Sequence, residues 1–193
     1  MSADEATPSA RQVELLEAAY RYVLTHGLAE MSLRPLAGAI GSSPRVLLYL
    51  FGSKEGLIRA LVARARADEL AVLDRLQVAA VERPGLGVAV TEIWKWLAAE
   101  QHRPLLTLWV EAYGRSLIEP DGAWAGFARA TVDDWMELLG KCQPEERQRT
   151  GDAAVQRTLA LAVLRGALLD LLATGDTERV TAAVRRQVTL LDG

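Results

Sequence analysis

The sequence predicts an all-α protein of about nine helices, a small N-terminal unit followed by a larger helical bundle. Three observations carry this prediction. Apolar residues recur at helical spacing along most of the chain, no segment shows the sustained alternation of a strand, and the helices lengthen abruptly near residue 58.

The elements follow in order. Met1 to Ala10 hold Ser, Asp, Glu, Thr and Pro with no apolar period and are expected to form a flexible arm (1–10). Leu16, Ala19, Tyr20, Val23 and Leu24 make one helical stripe, and Gly27 stops it. Ser32 precedes a short helix over Leu33 to Ala39, with Pro35 in the first turn, where a missing N–H is tolerated. After Gly41-Ser42, the pair Ser43-Pro44 restarts a helix that runs to about Phe51. Gly52 breaks it, and Ser53 caps a longer helix reaching about Val81. Further helices are predicted over about 86–101, 104–118, 123–141, 145–174 and 177–191, separated by Pro- and Gly-containing turns. The division expected is a head at 11–58 and a body at 59–193.

Half of the 193 residues are hydrophobic and 24% are charged, an ordinary globular balance. The N-terminus lacks a basic region followed by an apolar stretch, and Arg165 and Asp170 interrupt the most apolar C-terminal run. A cytoplasmic protein with no membrane association is therefore expected. Cys142 is the single cysteine, which excludes an internal disulfide and a cysteine-based zinc cluster. His26 and His102 are the only histidines, and His26 ends the first helix, where it suits a C-terminal cap better than a base. Asp133 and Asp134 point to different sides of a helix, and no phosphate loop, nucleophile elbow or paired-histidine motif is present. No enzyme activity, cofactor or metal is expected.

The net charge of −3 conceals a gradient. Residues 32–66 hold Arg34, Arg45, Lys54, Arg59, Arg64 and Arg66 against Glu55 alone, a net of +5, which leaves −8 for the remainder. A local basic patch on an otherwise acidic chain suits contact with phosphates.

The two short helices within that patch read as a helix-turn-helix. Such a pair needs a small residue at the crossing and a permissive one in the turn, and Ala37 and Gly41 stand four apart in those places. Leu36, Ile40, Leu47 and Leu50 would clamp the pair. The second helix would then present Ser43, Pro44, Arg45, Val46 and Tyr49 outward, mostly from its N-terminal end, which is the end that reads base edges.

Ser32 to Leu57 resembles the signature of the tetracycline-repressor (TetR) family. The resemblance consists of a Ser-capped second helix, an Ala-to-Gly turn, a short recognition helix ending in aromatics, and Lys54-Glu55-Gly56-Leu57 leading into the fourth helix. It extends over about residues 11–62. Two positions depart from the pattern: Ser42 stands where Val is common, and the tyrosine is at 49 rather than 48. The resemblance implies a homodimeric regulator, usually a repressor, that binds double-stranded DNA at an inverted repeat and is released by a small effector. Ser32 and Lys54 are then expected at phosphates, Arg34 and Arg45 at base edges, and Tyr49 at phosphate or sugar.

In the body, Leu161, Leu164, Ala167, Leu168, Leu171 and Leu172 form a broad stripe, continued by Val180, Ala183, Val184, Val188 and Leu191. Leu161, Leu164, Leu168, Leu171, Val184 and Val188 are the expected dimer interface, since the resemblance implies one built from the last two helices of each chain. Packing within one subunit is the other reading. All five tryptophans lie in the middle helices. Trp94, Trp109, Tyr113 and Trp135 are expected to line a cavity for an apolar or aromatic effector, with ordinary core packing as the alternative. Trp94 and Trp96 cannot both face inward from one helix, so one of them is expected at the surface or an interface. The competing function is a helical interaction or adaptor domain that keeps the fold without specific DNA binding.

Overall fold

A computed structural model describes residues 8–28, 31–82, 85–144 and 152–191. Most of the expected arm, and residues 145–151 of the predicted eighth helix, lie outside the described residues. The described chain is all-α, without strands. Its helices are α1 (Ala10–His26), α2 (Leu33–Ala39), α3 (Pro44–Phe51), α4 (Lys54–Glu82), α5 (Leu86–Leu97), α6 (Arg103–Ile118), α7 (Phe127–Cys142), α8 (Ala153–Thr174) and α9 (Thr177–Leu191).

Local chemistry sets most of these limits. Ser9 caps α1 by accepting from the Gln12 N–H at 3.2 Å, so the helix begins inside the stretch expected to be a free arm. Ser43 caps α3 through the Val46 N–H, and Ser53 caps α4 through the Gly56 N–H at 3.0 Å. Ser32 precedes α2 with extended backbone but makes no side-chain cap bond. The fifth helix is shorter than predicted and ends at Leu97. The chain then forms a 3-10 turn over Glu100–His102, held where His102 Nδ1 meets the Trp96 carbonyl at 2.8 Å. The seventh starts later than predicted because Gly126 takes a left-handed conformation (φ 75°) that breaks the helical run.

The head forms around the first turns of α4. Leu15, Ala19, Leu36, Ala37, Leu47, Leu57 and Leu61 are buried in one apolar cluster, with Ile40 and Leu50 packed at its margin. In the turn between α2 and α3, Gly41 adopts φ +65° and the Ser42 N–H donates to the Ala37 carbonyl at 2.8 Å. Gly56 permits a close approach: a Cβ there would stand 2.0 Å from the Phe51 carbonyl oxygen, so no larger residue lets α3 close on α4. Gln12 fixes the other flank by donating from Nε2 to the Leu50 carbonyl at 3.1 Å.

The body packs α5, α7, α8 and α9 into a bundle, with α6 between it and the head. Arg179 forms a two-pronged bridge to Asp170 at 2.7 and 2.8 Å, which ties α9 to α8 and holds the Asp170 carboxyl below its usual range. Asp133 and Asp134 pair apart, with Arg129 and Arg66 respectively.

The Ser42 hydroxyl is buried in the helix-turn-helix without a hydrogen-bond partner. Replacing it by Ala removes an unsatisfied polar group and little else. Ser42→Ala is expected to raise the free energy of unfolding by about 1 kcal/mol, visible as a higher urea midpoint. A lowered midpoint contradicts this account of the turn.

Candidate functional site

An exposed basic face is built from the starts of three helices. Arg34 lies in the first turn of α2, Arg45 in the first turn of α3 and Lys54 at the first residue of α4, and all three are exposed. A cation at a helix N-terminus opposes the helix dipole and costs stability. Three in one small unit reinforce the positive potential of the exposed amides, an arrangement suited to an anionic partner. None of the three, nor exposed Arg59, makes an ion pair among the described residues.

Along α3, Tyr49 is 84% exposed, and Arg45, Val46 and Leu48 also face solvent while Leu47 is buried. Ser43 and Pro44 are half-buried at the helix start. Ser32 is exposed ahead of α2. Leu48 is an exposed neighbour of Tyr49 that the sequence reading did not select. The rotation of α3 around Leu47 brings it out.

The basic stretch of 32–66 is not a single surface. Arg64 is bonded to Glu17 and Asp68, and its guanidinium lies 4.8 Å from the Tyr20 ring centroid. Arg66 is bonded to Glu69 and Asp134. Both side chains hold helices together, and the +5 read from the sequence counts these two structural cations with the outward-facing ones.

Those bonds locate the junction of head and body on α4. From the head, Tyr20 donates to Asp68 Oδ2 at 2.8 Å, and burial, with Asp68 adding to it, drives the phenol pKa well above its ordinary value. From the body, Trp135 Nε1 donates to Glu69 Oε1 at 2.9 Å and Thr131 to Glu69 Oε2 at 3.2 Å. Glu69 is 1% exposed. Two more bonds span the junction: Leu28 N–H to Glu111 Oε2 at 2.9 Å, and Trp109 Nε1 to the Ala65 carbonyl at 3.3 Å.

Behind this junction the body contains a cavity of about 130 Å³. Trp109, Tyr113 and Trp135 line it. Trp94 does not. It is buried against α9, where its Nε1 donates to Thr181 Oγ1 at 3.0 Å. Trp96, half-buried, stacks between His102 and Trp109 at centroid distances of 4.2 and 5.6 Å. Both indoles of α5 are thus held by neighbouring side chains, Trp94 by Thr181 of α9 and Trp96 by His102 of the 3-10 turn and Trp109 of α6. The sequence reading missed Glu69 and Arg165, the charged residues of the cavity wall. A carboxylate and a guanidinium inside amphipathic helices carry no sequence signal of inward orientation.

The residues expected between subunits are placed differently. Leu161, Leu164, Leu171 and Val184 are buried in the protomer's own core, while Leu168 and Val188 are half-buried against it. The outward face of α8 instead carries Val155, Leu159, Ala162, Gly166, Leu169 and Ala173, at three- and four-residue steps. Val155, Leu159 and Leu169 are each at least half exposed. The signal was legible in principle, because α8 is apolar on both faces, and a helix apolar all round needs cover on both.

Removing the Trp135 donor tests the junction. Trp135→Phe leaves Glu69 Oε1 short of a partner and is expected to cost about 1–3 kcal/mol in urea unfolding; an unchanged midpoint contradicts the burial of that bond.

Residues 15–61 match the family model of the bacterial regulatory proteins, tetR family. No curated protein sequence matches the chain. Among solved structures, a protein assigned to the TetR family from Rhodococcus sp. superposes with a TM-score of 0.70 at 17% identity, covering 96% of this chain and all of that one. A TetR transcription regulator from Haloarcula marismortui gives 0.67 at 18%, covering 94% and 95%. GusR of Salmonella enterica gives 0.65 at 20%, covering 99% and 100%. These likenesses concern the fold, and the family match concerns the head whose helix-turn-helix geometry is described above. Residues 15–61 are thus a head of the tetR-family type, carried on a chain that shares its overall fold with these solved structures.

Proposed function

We propose that the protein is a homodimeric, sequence-specific transcriptional regulator, a repressor in its usual output, that binds an inverted-repeat operator and is released by a small effector. The observation that carries this reading is the set of unpaired, exposed cations at the starts of α2, α3 and α4 beside the exposed face of α3. In this reading residues 11–58 are the DNA-binding domain, and 59–193 bind effector and partner.

The roles follow from position. Arg34 and Arg45 reach base edges, where a guanidinium pairs with guanine O6 and N7. Ser32, Ser43 and Lys54 meet phosphates. Pro44, Val46 and Tyr49 fill the groove wall, Tyr49 bonding phosphate or packing on sugar. One head makes few base contacts, so two must act together at a spacing of about one helical turn of DNA, roughly 34–36 Å, or a multiple of it. The outward stripe of α8 supplies the means of pairing. Val155, Leu159 and Leu169 would be covered by a second copy, and Ala162, Gly166 and Ala173 let the backbones approach. Leu169 also lines the cavity, so a ligand there touches a residue of the proposed interface. Effector binding would shift the population toward dimers whose heads no longer match successive grooves.

Selection from a random duplex library at moderate salt tests the reading. Enrichment of an inverted repeat is expected, and recovery of DNA without a motif, or none, favours an adaptor role instead. On the recovered site, Arg45→Ala is expected to cost about 1–3 kcal/mol and relax one position of the half-site. Uniform weakening at all positions would reassign Arg45 to phosphate. Leu159→Glu is expected to sediment as a folded monomer. A dimer of unchanged affinity would remove the α8 stripe from the interface.

A further inference from the structure

The cavity wall is mostly apolar, and its two charged groups are in unlike states. Glu69 has partners on both oxygens, Oε1 accepting from Trp135 and Oε2 from Thr131 and Arg66. Its charge is already paired with the Arg66 guanidinium, so it does not call for a cationic ligand. Arg165, on α8, has no ion pair among the described residues, and its Nη2 is buried without an acceptor. Its guanidinium lies 5.1 Å from the Tyr113 ring centroid, where the aromatic face stabilises the charge but accepts no in-plane hydrogen bond. A buried donor on a permanent cation lacks its partner, and the geometry of a guanidinium matches a carboxylate.

The size of the cavity restricts what carries that carboxylate. About 130 Å³ is close to the volume of an apolar cavity that admits one benzene ring, on the order of 150 Å³. Trp109, Phe127 and Trp135 supply aromatic surface for such a ring. We propose that the cavity binds a small aromatic carboxylic acid, its ring among these side chains and its carboxylate on Arg165. The proposal rests on the reading of the body as an effector domain and names the class of effector.

Isothermal titration of the intact protein, without DNA, compares 3-phenylpropionate with 3-phenylpropanamide, which keeps the shape and loses the charge, and with propylbenzene. The acid is expected to bind at least tenfold more tightly than the amide. Arg165→Met is expected to bring the acid to the level of the amide and leave the amide unchanged. Equal affinities for acid and amide in the unaltered protein overturn the carboxylate assignment, with binding of propylbenzene leaving the effector cavity itself standing. Binding of none of the three overturns both. The comparison on unaltered protein does not depend on the variant folding, and heat of binding does not depend on DNA release.

Discussion

The structure depends on one turn of α4 being gripped from both sides. Asp68 takes the Tyr20 hydroxyl from the head, and the next residue, Glu69, takes the Trp135 and Thr131 donors from the body. A buried carboxylate is tolerable only when its oxygens are satisfied, and here an arginine and two neutral donors do that. Loss of one charged partner from such a site typically costs about 3–5 kcal/mol. The arrangement fixes the rotation of α4 about its own axis. Since α4 begins at Lys54 and is continuous to Glu82, it also fixes where its first turn, and the α3 packed on it, must lie.

Electrostatics divides the head along the same line. Arg64 and Arg66 are neutralised by carboxylates of α1, α4 and α7, so they contribute rigidity. Arg34, Arg45, Lys54 and Arg59 lie earlier in the chain, exposed and unpaired among the described residues. Along the chain, the residues outside 32–66 carry a net of −8. Such a charge distribution orients the head toward a polyanion and keeps the rest of the chain off it.

Much of the head was legible in the sequence because its signals are local. Ser43-Pro44, Gly41 and Ser53 set turns and caps within a few residues, and α2 and α3 fall at the predicted limits. In the body, composition announced aromatic clustering but not direction. Trp94 and Trp109 look alike in sequence, yet α9 covers the first and the cavity exposes the second. The stripe chosen on α8 was likewise real but faces inward. A helix apolar on two faces offers two stripes, and periodicity alone does not say which belongs to the subunit. Glu69 and Arg165 were missed for a related reason: their importance arises from partners more than fifty residues away, Trp135 for one and Tyr113 for the other.

If α4 transmits the state of the body to the reading head, an isosteric change at its buried carboxylate must be felt at the DNA. The most direct test is the affinity of Glu69→Gln for a duplex recovered by selection, measured beside Thr181→Val, which disturbs Trp94 at the far side of the body. Both proteins must first be shown folded and dimeric. The account predicts a several-fold change in affinity for Glu69→Gln and none for Thr181→Val. Unaltered affinity in both, or equal changes in both, would contradict a path through α4.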